Sequence, residues 1–523
     1  MLRQRSIGQN SANRFAQQPV VRQLLVRAPS NGPQFRCASQ AERCLTSVPG
    51  RSLTAKTIVA GIATPLILVV PTAVFGPTAI EGTAKAVAVT AFFIACCLNV
   101  CLIRRWGAPQ CLMAVVAAYP LVTLGYWLTV GSSIHFGDTP YLQHLAEDAA
   151  VCWNSGSALS SCLQQLDCDA RYWAGTLYHG LRISLYGREP LVTVCWGGTM
   201  LLSTAVMALP GLSLSGLTRV QALGVFAIIL VWPDFLNMTT NVGRDILILW
   251  GILAWYSGVR YTVRMSAPEG VIPAFLGVVF LACCRPVYLI ICALDLGILI
   301  SAGPAINRRR STVIRVAFLC IGATAMYFLA TRTHGLWLHV ILETGSSQIR
   351  NNSHVFTGTN GNLVGRLASL TGAGFVISLP IRLVMAVMAP FPWTSRLLFN
   401  AEVGGFNASV TVLACHIFKS VMALTSMLLA GKAIVTGIRA SGLRSLVENN
   451  SAPLFITLAL VASLADVGFN RYIAMSFPFL AATILAAQPL PYNHRALCKG
   501  TLNATAVVVA GTAIVLALYL VKS

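Results

Sequence analysis

Charge is scarce in this chain. Asp, Glu, Lys and Arg together make up 10% of its 523 residues, where soluble domains carry about 25%. Hydrophobic residues make up 56% and the mean hydropathy is +0.71, which excludes a soluble globular fold. Acidic residues are the scarcest, 16 against 37 Lys and Arg, a net charge of +21. Several motifs are also missing. The chain has no P-loop, no GxGxxG after a strand, no HExxH and no GxSxG, so it has no ATP engine and none of these motif-borne site chemistries. It has no TVGYG-like filter and no arginine at every third position, which argues against a potassium filter or a voltage sensor. The 16 cysteines include no CxxC pair with zinc spacing. Neither a metal nor an organic cofactor is expected. No internal repeat is visible, which weakens the case for an inverted-repeat transporter.

What is present is a series of uncharged runs about 20 residues long, the length that crosses a hydrocarbon core of about 30 Å. They predict an all-α, polytopic transmembrane bundle of about 13 spans: 57–77, 84–103, 110–131, 191–210, 217–236, 243–259, 270–284, 286–303, 313–331, 407–431, 452–469, 472–488 and 503–520. A transmembrane barrel is excluded, because its strands are only about 10 residues long and alternate polar with apolar.

The excess of basic residues reads as topology, since Lys and Arg gather on cytoplasmic segments; nucleic acid is not an expected partner. Residues 1–56 hold nine basic residues and one acid, Glu42. They read as a disordered cytoplasmic tail, a targeting segment or a contact for anionic lipid. Residues 57–523 form the membrane domain, with external loops at 132–190 and 332–406. Segment 370–391 has Arg382 at its middle and is expected to lie on or dip into the outer leaflet. A full crossing there would put Lys432, Arg439 and Arg444 outside. Loop 132–190 carries six acids and three arginines, a net charge of −3 against +8 for the tail. Cys152, Cys162 and Cys168 share this loop, so one disulfide can form there and one thiol is left over. Cysteines in the apolar runs, such as Cys96 and Cys284, act as small hydrophobes.

Five places could carry chemistry. In the first, Asp138 precedes a helix expected over 140–151, where Tyr141, Leu145 and Asp148 share a face. Asp138 is either a general base toward a hydroxyl or an N-cap before Pro140. The second is Arg244 and Asp245, which open an apolar helix and are either a boundary ion pair or a phosphate site at a helix start. The third is Arg285, inside the apolar run 271–303. Either two short helices meet there, with Pro286 starting the second, or Arg285 points into a polar cavity toward an anion. Asp295 is two to three turns away, which makes a direct pair with Arg285 unfavourable. The fourth is the Pro390–Trp393 break, which reads as an interfacial anchor. The fifth is Arg471, which either pairs with Asp466 or reaches a lipid phosphate.

The stretches GDTPYLQHLAEDAA (137–150), YHGLRISLYGREPL (178–191), NVGRDILIL (241–249), CRP (284–286), APFPW (389–393) and NRYIAMSFPFL (470–480) together resemble bacterial membrane proteins of surface-glycan assembly. These are the GT-C-type polyprenyl-dependent glycosyltransferases and the O-antigen or exopolysaccharide polymerases. The resemblance implies a GT-C-like fold in the cell membrane (the inner membrane in a Gram-negative host) with a cytoplasmic N-terminus. It implies membrane lipid, a polyprenyl-phosphate-linked glycan and other glycan-assembly proteins as partners. Asp138 would be the catalytic residue, with Arg244, Asp245, Arg285, Arg471 and Asp148 on the substrate. The chain departs from the family in having two extra spans before the first outer loop and no adjacent acidic pair at the loop start. A transporter or flippase for a lipid-linked or small solute, or a membrane scaffold, is the competing expectation. For topology, cysteines introduced at Ser155 and Ser11 should label from outside intact cells at Ser155 only; the opposite pattern inverts the orientation.

Overall fold

The computed structural model describes residues 49–71, 83–129, 139–156, 162, 172–285, 288–302, 406–441, 454–456, 458–459 and 474–487. The described residues are helical, with no strand among them. In chain order the helices are α1 (Arg51–Ala63), continued by a 3-10 turn (Thr64–Leu68), then α2 (Ala84–Arg105), α3 (Gln110–Ala117), α4 (Tyr119–Thr129), α5 (Thr139–Asn154), α6 (Trp173–Tyr186) and α7 (Pro190–Leu214). After these come α8 (Arg219–Val231), α9 (Pro233–Thr240), α10 (Asp245–Met265), α11 (Val271–Cys284), α12 (Tyr288–Ala302), α13 (Phe406–Ser441) and α14 (Phe477–Ala487).

Among the described residues four helices are long and apolar enough to cross a membrane, or six if the bent pairs α3–α4 (57°) and α8–α9 (50°) each count as one span. A protein in lipid has to satisfy its backbone within each segment, which favours such helices. Large side chains face outward on several of them: Leu98 on α2, Leu121 on α4, and Ile272 and Phe275 on α11 are all exposed. Several apolar helices with apolar outer faces are consistent with a membrane protein. The expected spans 313–331 and 503–520 and the segment 370–391 lie outside the described residues.

α7 is the axis of the bundle. It is buried along almost its whole length and packs against α1, α2, α4, α6, α8, α9 and α10. Pro210 lies inside it and lacks an N–H for the helical ladder. Beside that break the Ser257 hydroxyl, from α10, donates to the Met207 carbonyl at 2.5 Å and accepts from the Gly211 N–H at 3.1 Å. A foreign hydroxyl thus satisfies backbone groups of a broken helix. Further polar rungs tie α1 in. The Ser203 hydroxyl donates to the Gly61 carbonyl, and the Trp250 indole donates to Ser203 at 2.9 Å.

α10 and α11 run antiparallel and meet at two glycine pairs, Gly251 and Gly258 of α10 against Gly277 of α11 and Gly270 at its N-cap. A Cβ added at Gly277 would lie 2.5 Å from the Gly251 carbonyl oxygen, and one at Gly258 would lie 2.5 Å from the Gly270 carbonyl oxygen. Small residues let membrane helices approach this closely, so that dispersion contacts replace the hydrophobic drive that lipid does not supply.

At the far end of α10 lies a charge pair that charge counting reads differently. Lys and Arg are expected on cytoplasmic segments, yet Arg260 is fully buried and bidentate to Asp295 of α12, at 2.8 and 2.7 Å. Its Nε donates to Ser215 at 2.8 Å and its guanidinium stacks on Tyr256 at 3.6 Å. The Tyr256 hydroxyl also donates to Ser215, at 2.6 Å. Asp295 is therefore the partner of Arg260. α11 ends at Cys284 and α12 begins at Tyr288, so Arg285 sits at a junction between two short helices.

Breaking a buried pair leaves an uncompensated charge, which costs about 3–5 kcal/mol. Asp295→Leu should therefore destabilise strongly, and Arg260→Met with Asp295→Leu should recover most of the loss. Thermal unfolding in detergent, run as a double-mutant cycle, reads both.

Candidate functional site

α5 and α6 form a helical hairpin over one end of the bundle. α5 is amphipathic: Leu142, Leu145, Ala146, Ala149 and Ala150 are buried, while Tyr141, His144, Asp148 and Val151 are exposed. The helix expected over 140–151 is present, within Thr139–Asn154. Tyr141, Leu145 and Asp148 lie along one side of it, where the edge of the buried stripe passes between them: Leu145 is buried and Tyr141 and Asp148 are exposed. The two helices pack tightly where Gly180 meets Ala149, an added Cβ lying 3.0 Å from the Ala149 Cβ. Cys152 and Cys162 are joined by a disulfide, one of the pairings the loop allows; Cys168 lies outside the described residues. Arg188 pairs with Glu147 at 3.0 Å, and Lys85 pairs with Glu189 at 3.0 Å.

The underside of α6 is polar although it is buried. Thr176, His179 and Arg182 lie three residues apart on one face, and all three are buried. The His179 Nε2 lies 3.0 Å from the Gly243 carbonyl. A carbonyl can only accept, so Nε2 carries the hydrogen and Nδ1 is left as an acceptor. Burial, and then the neighbouring Arg182 charge, pulls the imidazole down to about 3, so it is neutral near pH 7. Arg182 donates through Nη1 to the Thr193 hydroxyl of α7. Burial lowers its guanidinium to about 10, against upward pulls from Tyr178 and Glu147, and it stays charged near pH 7. Among the described residues, Thr176 Oγ1, His179 Nδ1, Arg182 Nε and Trp196 Nε1 are buried with no hydrogen-bond partner. Each such atom costs about 1–3 kcal/mol of desolvation.

Other contacts hold the hairpin down. The Tyr178 hydroxyl donates to the Trp196 carbonyl at 3.0 Å, and the Tyr186 hydroxyl to the Leu68 carbonyl at 2.5 Å. Arg244 is buried at the start of α10, its guanidinium 4.1 Å over the Tyr172 ring and its Nη1 donating to the Cys284 carbonyl at 3.3 Å.

Arg244 and Asp245 thus lie together, buried under the hairpin, and Arg285 directly follows the carbonyl that Arg244 engages. Asp148 is on the outer face of α5 beside His144, at 3.5 Å, and is not part of this cluster. Asp138 and Arg471 lie outside the described residues. His179 and Arg182 were missed as site residues, although both lie in a stretch that carries the family resemblance. The available signal was their spacing with Thr176 on a largely apolar helix. Among the described residues no group of three or more His, Cys, Asp or Glu could hold a metal ion.

Comparison with protein-family models, with curated proteins and with solved structures finds no match to this chain. What the fold defines is an all-helical protein with several helices suited to a membrane and a buried basic cluster under a helical hairpin.

The neutral burial of His179 sets a direction for acid sensitivity. Its folded value lies below the unfolded 6.5, so the unfolded chain binds the extra proton. Stability is then present above about pH 6.5 and is lost as pH falls toward about 3. His179→Gln should flatten this slope, read as melting temperature in detergent between pH 7 and pH 4.

Proposed function

We propose that this protein transfers or polymerises polyprenyl-linked sugars on the outer side of the cell membrane, in the assembly of a surface polysaccharide. The reading is supported by Arg244, a buried guanidinium at the N-terminus of the apolar helix α10, stacked on Tyr172 and covered by an amphipathic hairpin. A helix N-terminus and a planar guanidinium both favour a phosphate group. In this proposal the lipid-linked donor enters from the bilayer with its phosphate against Arg244, Arg285 or Arg471. An acceptor hydroxyl gives its proton to Asp138 and attacks the anomeric carbon, and the bond to the lipid phosphate breaks. The arginines stabilise the charge developing on that leaving group. The acidic loop that contains the hairpin and the basic residues at the other end of the bundle support an outward-facing hairpin in this reading. A disulfide in this hairpin suits an oxidising compartment.

The bent pairs α3–α4 and α8–α9 favour a second reading. Discontinuous helices often shape transporter sites, and a flippase for the same lipid-linked solute would use the same arginine without covalent turnover.

Asp138→Asn separates the readings. Asn caps a helix nearly as well as Asp, so expression and insertion should persist while glycan transfer falls about 10²-fold, the scale for losing a positioned base. Full surface-glycan production by this variant removes Asp138 as the base. Movement of the lipid-linked sugar across proteoliposomes without any transfer establishes the transporter instead. Arg244→Lys keeps a charge but loses the planar fork, and should weaken use of the donor more than it disturbs folding.

A further inference from the structure

Thr176, His179 and Arg182 make an unusual row for a buried surface. One Arg–Thr contact and one His–carbonyl contact are made, yet each of the three residues keeps one buried polar atom without a partner among the described residues, and the Trp196 indole N–H opposite does the same. The row offers an acceptor at His179 Nδ1, donors at Arg182 Nε and Trp196 Nε1, and a hydroxyl at Thr176. A permanent interface gains nothing from four unmatched groups, since buried polar atoms are almost always paired. An interface that opens loses little by them, because the groups are hydrated whenever it is apart.

The hairpin is built to move as one piece. Gly180 packs directly on α5, and the Cys152–Cys162 disulfide ties the chain after α5 back to that helix. The hairpin joins α7 through Gly187, whose φ of 75° and open surroundings suit a hinge. Near the hinge the ion pairs Arg188–Glu147 and Lys85–Glu189 each have at least one well-exposed partner, and such pairs hold weakly.

We propose that the α5–α6 hairpin is a lid, and that the row Thr176, His179 and Arg182, with Trp196 of α7, receives the hydroxyl-bearing, phosphorylated headgroup of a lipid when the lid lifts. A sugar hydroxyl both donates and accepts, matching His179 Nδ1 and Arg182 Nε together, and the Arg182 charge adds to that of Arg244, the neighbour of the Gly243 that His179 contacts, in drawing the phosphate. The aromatic rings of Tyr178, Tyr186 and Trp196, 5.5 and 6.3 Å apart in centroid, form an apolar wall for the sugar. The ligand class rests on the function proposed above; the lid does not.

The test uses the full-length protein in nanodiscs and a membrane-impermeant thiol reagent. Thr176→Cys is expected to react about 10²-fold faster than Thr204→Cys, an equally buried position at the middle of α7, because only the first is exposed by lid opening. Thr193→Cys, on α7 where Arg182 of the row meets it, supplies a second row position from the facing helix. A polyprenyl-phosphate-linked hexose in the bilayer should slow labelling of Thr176→Cys about 10-fold, while phosphatidylglycerol should not. Adding Arg182→Met should abolish this protection while Thr176→Cys still reacts. Labelling of both row positions no faster than Thr204→Cys overturns the lid. Protection that is absent, equally given by phosphatidylglycerol, or unaffected by Arg182→Met overturns the headgroup site. Labelling and protection are read without an acceptor or turnover. Protection in a protein that shows no glycan transfer therefore sinks the enzymatic reading and leaves this one standing.

Discussion

Gly277 has no room for a methyl group. Its missing side chain is what lets the α11 backbone lie against Gly251 and Trp255 of α10, and Gly258 and Gly270 repeat the arrangement two turns away. α10 in turn presses on α7, where Gly211 makes way for Tyr256 and Ser257. In lipid the contact between helices rests on close packing and polar links, because the solvent is as apolar as the side chains. The rest of the described bundle is arranged around this approach. It brings the Ser257 hydroxyl to the ladder broken at Pro210, and it sets the register in which Arg260 reaches Ser215 and Asp295.

The two ends of the bundle treat buried charge in opposite ways. At the Arg260 end every guanidinium nitrogen has a partner, and the Ser215 hydroxyl accepts from both Arg260 and Tyr256 while donating to Gly211. A network satisfied in this way fixes one arrangement. At the hairpin end, Arg182 is as deeply buried but finds only Thr193 among the described residues, beside a histidine kept neutral. The first end holds the helices in place and the second leaves its polar groups available.

Helices and their limits were legible where the apolar runs are long. α2 was expected over 84–103 and spans Ala84–Arg105; α7 was expected over 191–210 and spans Pro190–Leu214. The break at Arg285 was one of two readings of an arginine in an apolar run, and the following proline favours it. The shared side of Tyr141, Leu145 and Asp148 was legible, but helical spacing does not say where burial begins. Leu142, Ala146 and Ala149 mark the buried stripe of α5, and Leu145 lies at its edge. Arg260 was out of reach for a different reason. A charge count cannot distinguish a solvated arginine from one whose carboxylate lies 35 residues away, and the pairing exists only once α10 and α12 are packed. The α6 row was hidden inside a segment read as an external loop, where a threonine, a histidine and an arginine attract no notice until they share one buried face.

The glycine seam also bears on how kinship with this chain would show itself. The lipid-facing side chains need only be apolar, so Leu98, Leu121 and Ile272 can be exchanged among aliphatic residues with little effect on the fold, and most of the sequence text can drift. The positions with little freedom are few and widely separated: glycines seven apart in each of two antiparallel segments, with an arginine two residues after one of them and an aspartate 35 further on. Such a pattern holds almost no contiguous string for an alignment to seize. Distant kin of this protein would be recognised by the intervals between a handful of residues, not by the letters between them.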